Sequence, residues 1–489
     1  MSRHFPALLF LVPLFGAISM PVVCLKHRGW SRPIALGALW IMVGISIMNL
    51  LNIVENGEIR YAFSGWASPM GIEWVADALA SLILVALSLL GLLALVFAGP
   101  TAPKDLGGRI VHFYTLILLL ISSLTGIVFA GDLFNLFVFL EVAALASYAL
   151  VGVSGGKALF AAFRYLILGT LGASLYLLGV SYFYAASGTL NMADIAERLP
   201  NLLTSKAVVG GLLFMFIGLG IKMALVPFHA WLPDAYSYAP ESVSPILASL
   251  VTKVALLGWV RIIYWVIGAK VIMNDIPVLL LVGVLGSLAA VIGAVLALTQ
   301  TNLKRMFAYG GISHIGIILI GISQDNATGF VGGVFYLLND AVMQAALFFL
   351  AGMAICHYGV KTVEDFGRVG KQAPWLTGSL VIISLGMIGL PPSGGFFGKW
   401  YIILGALEAK NYLAVSAVLL STLLTLAYFV KLFDRIFRDH SSSSDALIHE
   451  PPLQFKWCLG VTSAAIMLLG LLSDPIVSLL LTQALPPGL

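Results

Sequence analysis

Four ionisable side chains lie inside long apolar stretches: Glu141 in LFNLFVFLEVAALASYALV, Lys222 in GLGIKMALVPFH, Lys253 in LASLVTKVALLGW and Lys399 in SGGFFGKWYIIL. A charge at the centre of a bilayer costs roughly 2.5–3.5 kcal/mol on insertion scales, so such residues normally face a partner or a wet cavity. Burial disfavours the charged forms of both ammonium and carboxylate groups, which lets a proton pass between them. A Glu–Lys pair that breaks and re-forms is therefore suited to proton movement.

A simpler interpretation exists for each of these residues. A lysine near a helix end can extend its long stem to the lipid headgroups, and Lys399 is the best candidate for this. Glu141 is too short to do so from mid-span, and its alternative role is a purely structural pair with a lysine.

Two of the apolar stretches are interrupted close to a lysine. Pro227 follows Lys222, and Pro391, Pro392, Gly394 and Gly395 precede Lys399. Proline removes a backbone donor, and clustered glycine permits tight bends. Helix breaks at membrane depth are tolerated where they are buried or face water, and in transporters they mark ion paths. We therefore predict breaks beside the path, with a packing kink as the alternative.

Other polar side chains fall where they could assist. His314 could carry protons between the two halves of the chain, and Asp340 is a second costly carboxylate, in FYLLNDAVMQAALFFL. A capping role is expected for Asp132. Single hydroxyls such as Ser249, Thr252 and Ser313 could hold water, although a bond to their own helix is the simpler expectation. The auxiliary candidates are Asp132, His229, Asp234, Asp340 and Lys431.

The composition indicates that most of the chain is surrounded by lipid. Of its 489 residues 60% are apolar and only 10% are charged, and the mean hydropathy is +1.02. A chain solvated by lipid needs few charges. The small net charge of +4 indicates no nucleic-acid partner, and Cys24, Cys356 and Cys458 are isolated, so the sequence contains no motif for a metal or redox cofactor. We predict an all-α integral membrane protein.

We predict about fourteen transmembrane helices in two inverted five-helix repeats with discontinuous helices. The repeat is inferred from the spacings Lys222–Lys399, Lys253–Lys431 and Glu141–His314, which are 177, 178 and 173 residues. The predicted units are an N-terminal three-helix segment (1–109), a first half-channel (110–268), a second half-channel (276–433) and a C-terminal loop with the last helix (434–489). The expected spans are 5–25, 33–54, 75–99, 110–130, 132–153, 160–186, 207–229, 242–268, 276–299, 305–323, 327–356, 374–404, 411–433 and 456–482.

Basic residues predict the orientation. Alternate loops, which include Lys104, Lys157, Lys304 and Lys371, hold sixteen of the 26 Lys and Arg residues, whereas the opposite loops, which include Lys270, hold seven. Cytoplasmic loops are enriched in these residues. Both termini should then lie on the non-cytoplasmic side of the inner (cytoplasmic) membrane.

Long motifs in this chain resemble a known family. They are GDLFNLFVFLEV around Glu141, VPFHAWLPDAYSYAPESVSPILASLVTKV between Lys222 and Lys253, NLKRMFAYGGISHIG around His314 and GLPPSGGFFGKW before Lys399. They resemble the antiporter-like subunits of Mrp-type cation/proton antiporters, respiratory complex I and energy-converting hydrogenases. GDLFNLFVFLEV and GTLNMADIAE are most similar to the D subunit of the Mrp type.

The resemblance implies a half-channel in each repeat and a central polar axis joining them. It makes Glu141 the charged partner of Lys222, Lys253 the connecting lysine, His314 part of the axis and Lys399 the distal lysine. The sequence departs from the family's usual basic residue on one central span, which here carries Asn339, Asp340 and Gln344.

Three functions remain open on the sequence. The first is a proton-translocating subunit of a multisubunit Na⁺/proton antiporter, whose partners are other membrane subunits, protons and Na⁺ or another monovalent cation. The second is a proton-pumping subunit of a redox-driven, complex I-like assembly or hydrogenase, which would make the chain part of an enzyme without a cofactor of its own. The third is a non-conducting scaffold of a membrane arm, which the buried charges disfavour.

Overall fold

The computed structural model of the chain describes residues 2–203, 205–268, 277–370, 373–438, 450–486 and 488–489. Long helices dominate these residues. They are α1 (Phe5–Val23), α2 (Ser31–Asn56), α3 (Ala78–Leu106), α4 (Ile110–Phe129), α5 (Leu133–Gly152), α6 (Lys157–Ser187), α7 (Met192–Arg198), α8 (Lys206–Lys222), α9 (Leu232–Tyr238), α10 (Ser244–Gly268), α11 (Val278–Thr299), α12 (Leu303–Ile322), α13 (Ala327–Tyr358), α14 (Val363–Gly370), α15 (Pro374–Ile388), α16 (Gly394–Glu408), α17 (Tyr412–Arg438) and α18 (Leu453–Leu471).

The all-α membrane fold is confirmed. Within the described residues, eleven stretches are long and apolar enough to cross a bilayer, and one of them, Ala78–Phe129, contains both α3 and α4. The remaining two predicted spans are made of shorter helices, α8 and the pair α15–α16. The fourteen predicted segments therefore each correspond to a helix or a broken helix.

The two predicted breaks are present. Helix α8 ends at Lys222, earlier than the predicted span, and a turn leads through a 3₁₀ segment, Phe228–Trp231, into the short α9. The Trp231 indole donates at 2.9 Å to the carbonyl of Ile221, which also accepts from the amide of Ala224 at 3.1 Å where the helix ends. In the second half, α15 ends at Ile388 and α16 begins at Gly394.

Backbone pairing reveals the repeat directly. Asp132 lies opposite Asn191 in an antiparallel bridge, and the residues on either side of this pair make two backbone hydrogen bonds of 3.0 and 2.9 Å. Asn302 lies opposite Thr362 in the same way, with flanking bonds of 3.1 and 2.8 Å. Each pair links the start of one long helix, α5 or α12, to the start of a short one, α7 or α14. The same connection therefore occurs twice, about 170 residues apart.

The second copy is inverted. A charged cavity of about 550 Å³ is lined by Ser154, just beyond the end of α5, and by Asn302, at the start of α12. Since α5 is 20 residues long, Asp132 lies about 30 Å away at the opposite end. The equivalent helices α5 and α12 therefore start at opposite faces of the protein.

This cavity also defines a basic face. Its lining includes Lys157, Lys304, Arg305 and Lys361, which come from three of the loops predicted to share one side. Lys270 and Lys371, which belong to the same charge count, lie outside the described residues, as does half of the 434–455 connection (439–449). The structure thus agrees with the grouping of these three loops.

A small antiparallel hairpin adds strands that the sequence did not predict. Strand β1 (Ile59–Ala62) pairs with β2 (Glu73–Ala76). Directly after it, Asp77 accepts from the amide of Ala80 at 2.8 Å and receives both guanidinium nitrogens of Arg261 at 2.8 Å. This buried fork ties the start of α3 to α10.

Candidate functional site

Glu141 and Lys222 form the first charged contact of the membrane interior. The Lys222 ammonium lies 2.8 Å from the Glu141 carboxylate, and the two side chains are 7% and 22% exposed. Lys222 is the last residue of α8, where the helix breaks, so no further turn of this helix packs against its side chain. The pairing expected for these two residues is therefore present in the geometry.

Glu141 faces outward in part. It lies on the same stripe of α5 as Val138 and Leu145, which are 38% and 56% exposed. A carboxylate beside lipid-facing side chains is costly unless another surface covers it.

The second charged cluster is central and completely enclosed. Asp340 Oδ2 lies 2.9 Å from the Lys253 ammonium, and Asp340 Oδ1 lies 2.9 Å from His314 Nδ1. Lys253 also donates to the carbonyl of Ala248 at 2.8 Å, within a π-helical segment of α10. Asp340 and His314 have no exposed side-chain surface. The Asp340 carboxylate on α13 thus contacts two basic side chains, Lys253 on α10 and His314 on α12.

Lys399 is held without a carboxylate. Its ammonium donates to the carbonyls of Met387 and Ile388 at 2.9 and 3.0 Å and to the Thr422 hydroxyl at 3.2 Å. These carbonyls are the ones that the end of α15 leaves unpaired. Among the described residues no acidic side chain lies within ion-pair distance of Lys399. The residue is buried, which rules out the headgroup interpretation for this position.

Tyr336 links Lys399 to the central cluster. Its hydroxyl lies 3.2 Å from His314 Nδ1, and the Lys399 ammonium lies 5.9 Å from the centre of its ring. The sequence did not single out Tyr336, although it lies one helical turn before Asp340, which was a usable signal. Lys253, Asp340, His314, Tyr336 and Lys399 therefore form a continuous group of neighbours.

Four auxiliary residues lie away from this group. Asp132 accepts from the amide of Asn135 at 2.7 Å, which is the expected capping role. Asp234 binds Arg164 and lies 3.1 Å from Arg305.

The other two also have local roles. Lys431 donates to the carbonyls of Leu298 and Gln300. His229 is partly exposed and packs edge-on near Tyr309. The structure thus brings Asp340, but not Asp132, His229, Asp234 or Lys431, to the central cluster.

Two of the equivalences inferred from spacing are wrong in detail. Counted from the paired residues Asp132 and Asn302, Glu141 corresponds to Gly311, and His314 lies almost one turn further along α12. The error arises because loops of the two halves differ in length, so a constant offset does not hold.

The lysines near the two breaks are also not strict counterparts. The Leu225 amide donates to the carbonyl of Gly220 at 2.8 Å, and the Leu390 amide donates to that of Leu385 at 2.8 Å. This matched pattern aligns Lys222 with Met387. Lys222 therefore precedes its break and binds Glu141, whereas Lys399 follows its own break and binds the carbonyls of the helix end before it.

The hydroxyls follow the simpler expectation, a bond to their own helix, in one of three cases. Ser249 donates to the carbonyl of Pro245 in its own helix, and Ser313 donates to the carbonyl of Ala290 on α11. The buried hydroxyl of Thr252, the third of these residues, has no hydrogen-bond partner within the described part of the chain.

An inverted-repeat helical bundle with two broken helices and buried Lys–carboxylate contacts defines a class: the ion-translocating membrane subunits. Residues 130–425 match the family described as NADH:quinone oxidoreductase/Mrp antiporter, TM. The chain belongs to this family, as its motifs predicted.

Similar proteins cover most or nearly all of the chain. The chain is 38% identical to the N subunit of NADH-quinone oxidoreductase from Desulforudis audaxviator, with 99% of each chain covered. It is 30% identical to the D subunit of the Na(+)/H(+) antiporter from Alkalihalophilus pseudofirmus, over 86% of this chain and 85% of that protein.

Solved structures have the same fold. A chain of the membrane-bound sulfane sulfur reductase, an archaeal respiratory membrane complex, superposes with a TM-score of 0.90 at 30% identity, covering 98% of this chain and 96% of that one. A chain of the Mrp complex from Dietzia sp. DQ12-45-1b superposes with a TM-score of 0.86 at 24% identity, covering 99% and 97%.

Proposed function

We propose that the chain is a proton-translocating subunit of a multisubunit monovalent cation/proton antiporter, with Na⁺ as the expected cation. The observation that carries the proposal is the set of charged contacts Glu141–Lys222, which is largely buried, and Lys253–Asp340–His314, which is enclosed, each within 2.9 Å. Buried ionisable groups in a membrane are expensive, so they are kept where they serve transport. The similarity to the D subunit of the Na(+)/H(+) antiporter of Alkalihalophilus pseudofirmus supports Na⁺ as the cation.

Electrostatic gating is the mechanism that this geometry supports. With Glu141 ionised beside it, Lys222 keeps its proton. When the two side chains separate, Lys222 releases a proton toward Lys253. Unit charges 4 Å apart interact by about 4 kcal/mol at an effective dielectric of about 20, which is enough to switch a site between protonation states.

The central cluster passes the charge onward. A proton arriving at Lys253 displaces one toward Asp340 and His314, since the carboxylate contacts both bases. From His314 the Tyr336 hydroxyl leads toward Lys399. Each transfer moves one proton between neighbouring groups, so no cofactor is needed for these steps.

Partner subunits complete the proposed assembly. The partly exposed Glu141 on an apolar stripe of α5 is best covered by another membrane subunit. The enrichment of Lys and Arg in cytoplasmic loops supports an orientation with the basic face toward the cytoplasm and both termini on the other side of the inner membrane.

A redox-driven pump is the second candidate. The 38% identity to the N subunit of NADH-quinone oxidoreductase over 99% of both chains favours it. In that case the same residues would move protons, but the energy would come from a partner that carries the redox centres. Purifying the native complex separates the two candidates, because flavin or iron–sulfur proteins among its subunits would favour the redox assembly.

The proposed function is tested in everted vesicles that contain the assembled complex. We expect Glu141→Gln and Lys222→Ala each to lower ion-driven proton movement by at least about tenfold, because each removes one member of the gating pair. Movement is measured with a pH-sensitive dye after an ion pulse, and the amount of assembled complex is measured in the same vesicles. Full activity in both normally assembled variants would exclude the proposal.

A further inference from the structure

The loop between α1 and α2 forms an open groove of about 510 Å³ with a basic lining. The lining residues are Lys26, His27, Arg28, Gly29, Trp30 and Pro33. Cys24 is buried where α1 ends, and the Ser31 hydroxyl donates to the carbonyl of Arg28 at 2.8 Å where α2 begins. The backbone of the loop is thus held at both ends, whereas the side chains of residues 26–30 are exposed.

A second basic loop, between α3 and α4, adjoins this groove. The Arg28 guanidinium lies beside Gly108, with its Nη1 3.6 Å from the place where a Cβ of that residue would stand. Arg109 follows Gly108 directly and donates to the carbonyl of Val153, at the end of α5. The groove therefore lies on the basic face of the protein, with positive charge from two loops around it.

The groove contains no carboxylate. In the other cavity of the basic face, the Lys304 ammonium lies 2.6 Å from the Glu241 carboxylate, so its positive charge is compensated. Within the part of the chain that the structure describes, no acidic side chain lies within ion-pair distance of Lys26 or Arg28. Neighbouring cations without a counter-charge repel one another, so an anion bound between them is stabilised.

The groove lies at the level where the chain leaves the hydrocarbon of the membrane. Val22 and Leu25, which precede the basic residues, are 69% and 81% exposed, and Trp30 is also exposed. Trp40, about 15 Å further along α2, is exposed as well. Exposed apolar side chains beside exposed cations are typical of the headgroup boundary, where tryptophan is enriched. The anion that is present at this depth is the phosphate of a lipid.

We propose that Lys26, His27 and Arg28 bind the headgroup phosphate of an anionic phospholipid, with Arg109 beside them and the Trp30 ring against the first part of an acyl chain. The planar guanidinium matches two phosphate oxygens at once, and basic pockets between membrane helices bind acidic headgroups. A lipid bound here bridges the α1–α2 loop and the α3–α4 loop, and so stabilises the N-terminal three-helix segment. This site is independent of the path for protons.

Thermal unfolding of the purified, delipidated complex tests the site. We expect phosphatidylglycerol to raise the unfolding midpoint by at least about 2 °C, because a ligand that binds only the folded state stabilises it. Phosphatidylcholine at the same concentration should raise the midpoint by less than half as much. The double variant Lys26→Gln with Arg28→Gln should lose more than half of the effect of phosphatidylglycerol, since it removes two of the binding cations.

The matched control is the double variant Lys206→Gln with Lys410→Gln. It removes the same charge from two exposed residues in loops that the charge pattern assigns to the opposite side, and it should keep the full response to phosphatidylglycerol. Bound lipid gives a second readout. After delipidation, phosphatidylglycerol addition and gel filtration, lipid phosphorus measured per complex should be lower for Lys26→Gln with Arg28→Gln than for the parent and the control.

Three outcomes would overturn the lipid site. The first is an equal response of both double variants to phosphatidylglycerol, and the second is an equal response of the parent to phosphatidylcholine. The third is an equal gain with inorganic phosphate in place of lipid, which would assign the groove to a soluble anion. A parent complex that neither responds to phosphatidylglycerol nor retains it would show that another subunit covers the groove, and this result also excludes the site.

Discussion

Gly311 occupies in the second half of the protein the place that Glu141 occupies in the first. Both residues lie nine positions beyond the paired residues that open α5 and α12, Asp132 and Asn302. The amide of Gln344 fills the space beside Gly311, where a Cβ would meet it at 3.2 Å. The two halves therefore share a backbone but not a charge pattern, and the second half uses Asp340 on α13 as its enclosed carboxylate.

A carboxylate introduced at position 311 should lower the rate of proton movement through the second half of the protein. Glu141 pairs with Lys222, whose counterpart Met387 offers its carbonyl to Lys399 at 2.9 Å. Gly311→Glu would thus place a negative charge near Lys399, hold its proton and lower the rate of proton movement by about tenfold. The measurement is the initial rate of dye response in vesicles with matched amounts of complex.

The neutral control for this variant is Gly311→Gln. It has the same size and must displace the same flexible end of Gln344. We expect its rate of proton movement to stay within about twofold of the parental rate, because Gly311→Gln fills the same space as Gly311→Glu but adds no charge. Equal slowing by both substitutions would show that crowding, and not the added charge, is responsible.

Removing the central carboxylate should affect stability and transport separately. Asp340→Asn leaves the buried Lys253 ammonium without its counter-ion, and breaking such a pair costs about 3–5 kcal/mol. The double variant Asp340→Asn with Lys253→Met removes both charges and should recover most of that loss in thermal unfolding. Transport should remain absent in both variants.

The double variant is what makes this prediction decisive. Recovery of stability without transport indicates that the two charges couple in the fold and act together in proton movement. A double variant that transports at the parental rate would remove Lys253 and Asp340 from the path.

The main charged residues could be predicted from the sequence because ionisable side chains are rare inside membrane-spanning segments. Glu141, Lys222, Lys253 and Lys399 stood out as charges in apolar stretches, and the structure buries each lysine as expected. The helix breaks were visible for a similar reason, since proline and clustered glycine disfavour continued helix at a known position. Local chemistry was sufficient for these predictions.

The equivalences between halves needed the three-dimensional pairing. Lys222 and Lys399 are separated by nearly the same interval as Lys253 and Lys431, yet the hydrogen bonds at the breaks align Lys222 with Met387. Likewise, the contact of Lys304 with Glu241 joins residues 63 positions apart, one of them in a polar loop where a carboxylate is unremarkable. Spacing cannot reveal contacts set by loop length and helix packing.

Gly395 should be irreplaceable for steric reasons. A Cβ at this position would lie 1.9 Å from the carbonyl oxygen of Gly386, which is backbone and cannot rotate away. We expect Gly395→Ala to lower the free energy of unfolding by about 3 kcal/mol or more, since it forces α15 and α16 apart. Thermal unfolding in detergent measures the effect.

Gly378 provides the comparison in the same region. It is an exposed residue of α15 with open space where a Cβ would stand. Gly378→Ala should be neutral or stabilising by up to about 1 kcal/mol, because alanine restricts the unfolded chain. Similar losses in both variants would mean that the close approach to Gly386 does not set the cost, because helix propensity alone favours alanine at both positions.

The fork between Arg261 and Asp77 should stabilise the protein without affecting transport. Both guanidinium contacts are 2.8 Å long, and the Arg261 side chain is only 5% exposed. Arg261→Ala leaves a buried carboxylate unpaired at the start of α3, which should cost about 3–5 kcal/mol in unfolding. Since the fork lies outside the proposed path, the rate per assembled complex should be unchanged.

An exposed ion pair near the same hairpin calibrates this effect. Arg60 and Glu58 lie 3.0 Å apart with half of each side chain exposed, so Arg60→Ala should cost less than about 1 kcal/mol. The difference between the two arginine variants measures what burial adds to a salt bridge at this end of the bundle. A lower transport rate per assembled complex in Arg261→Ala would instead show that the fork positions α10 for transport, because α10 carries Lys253.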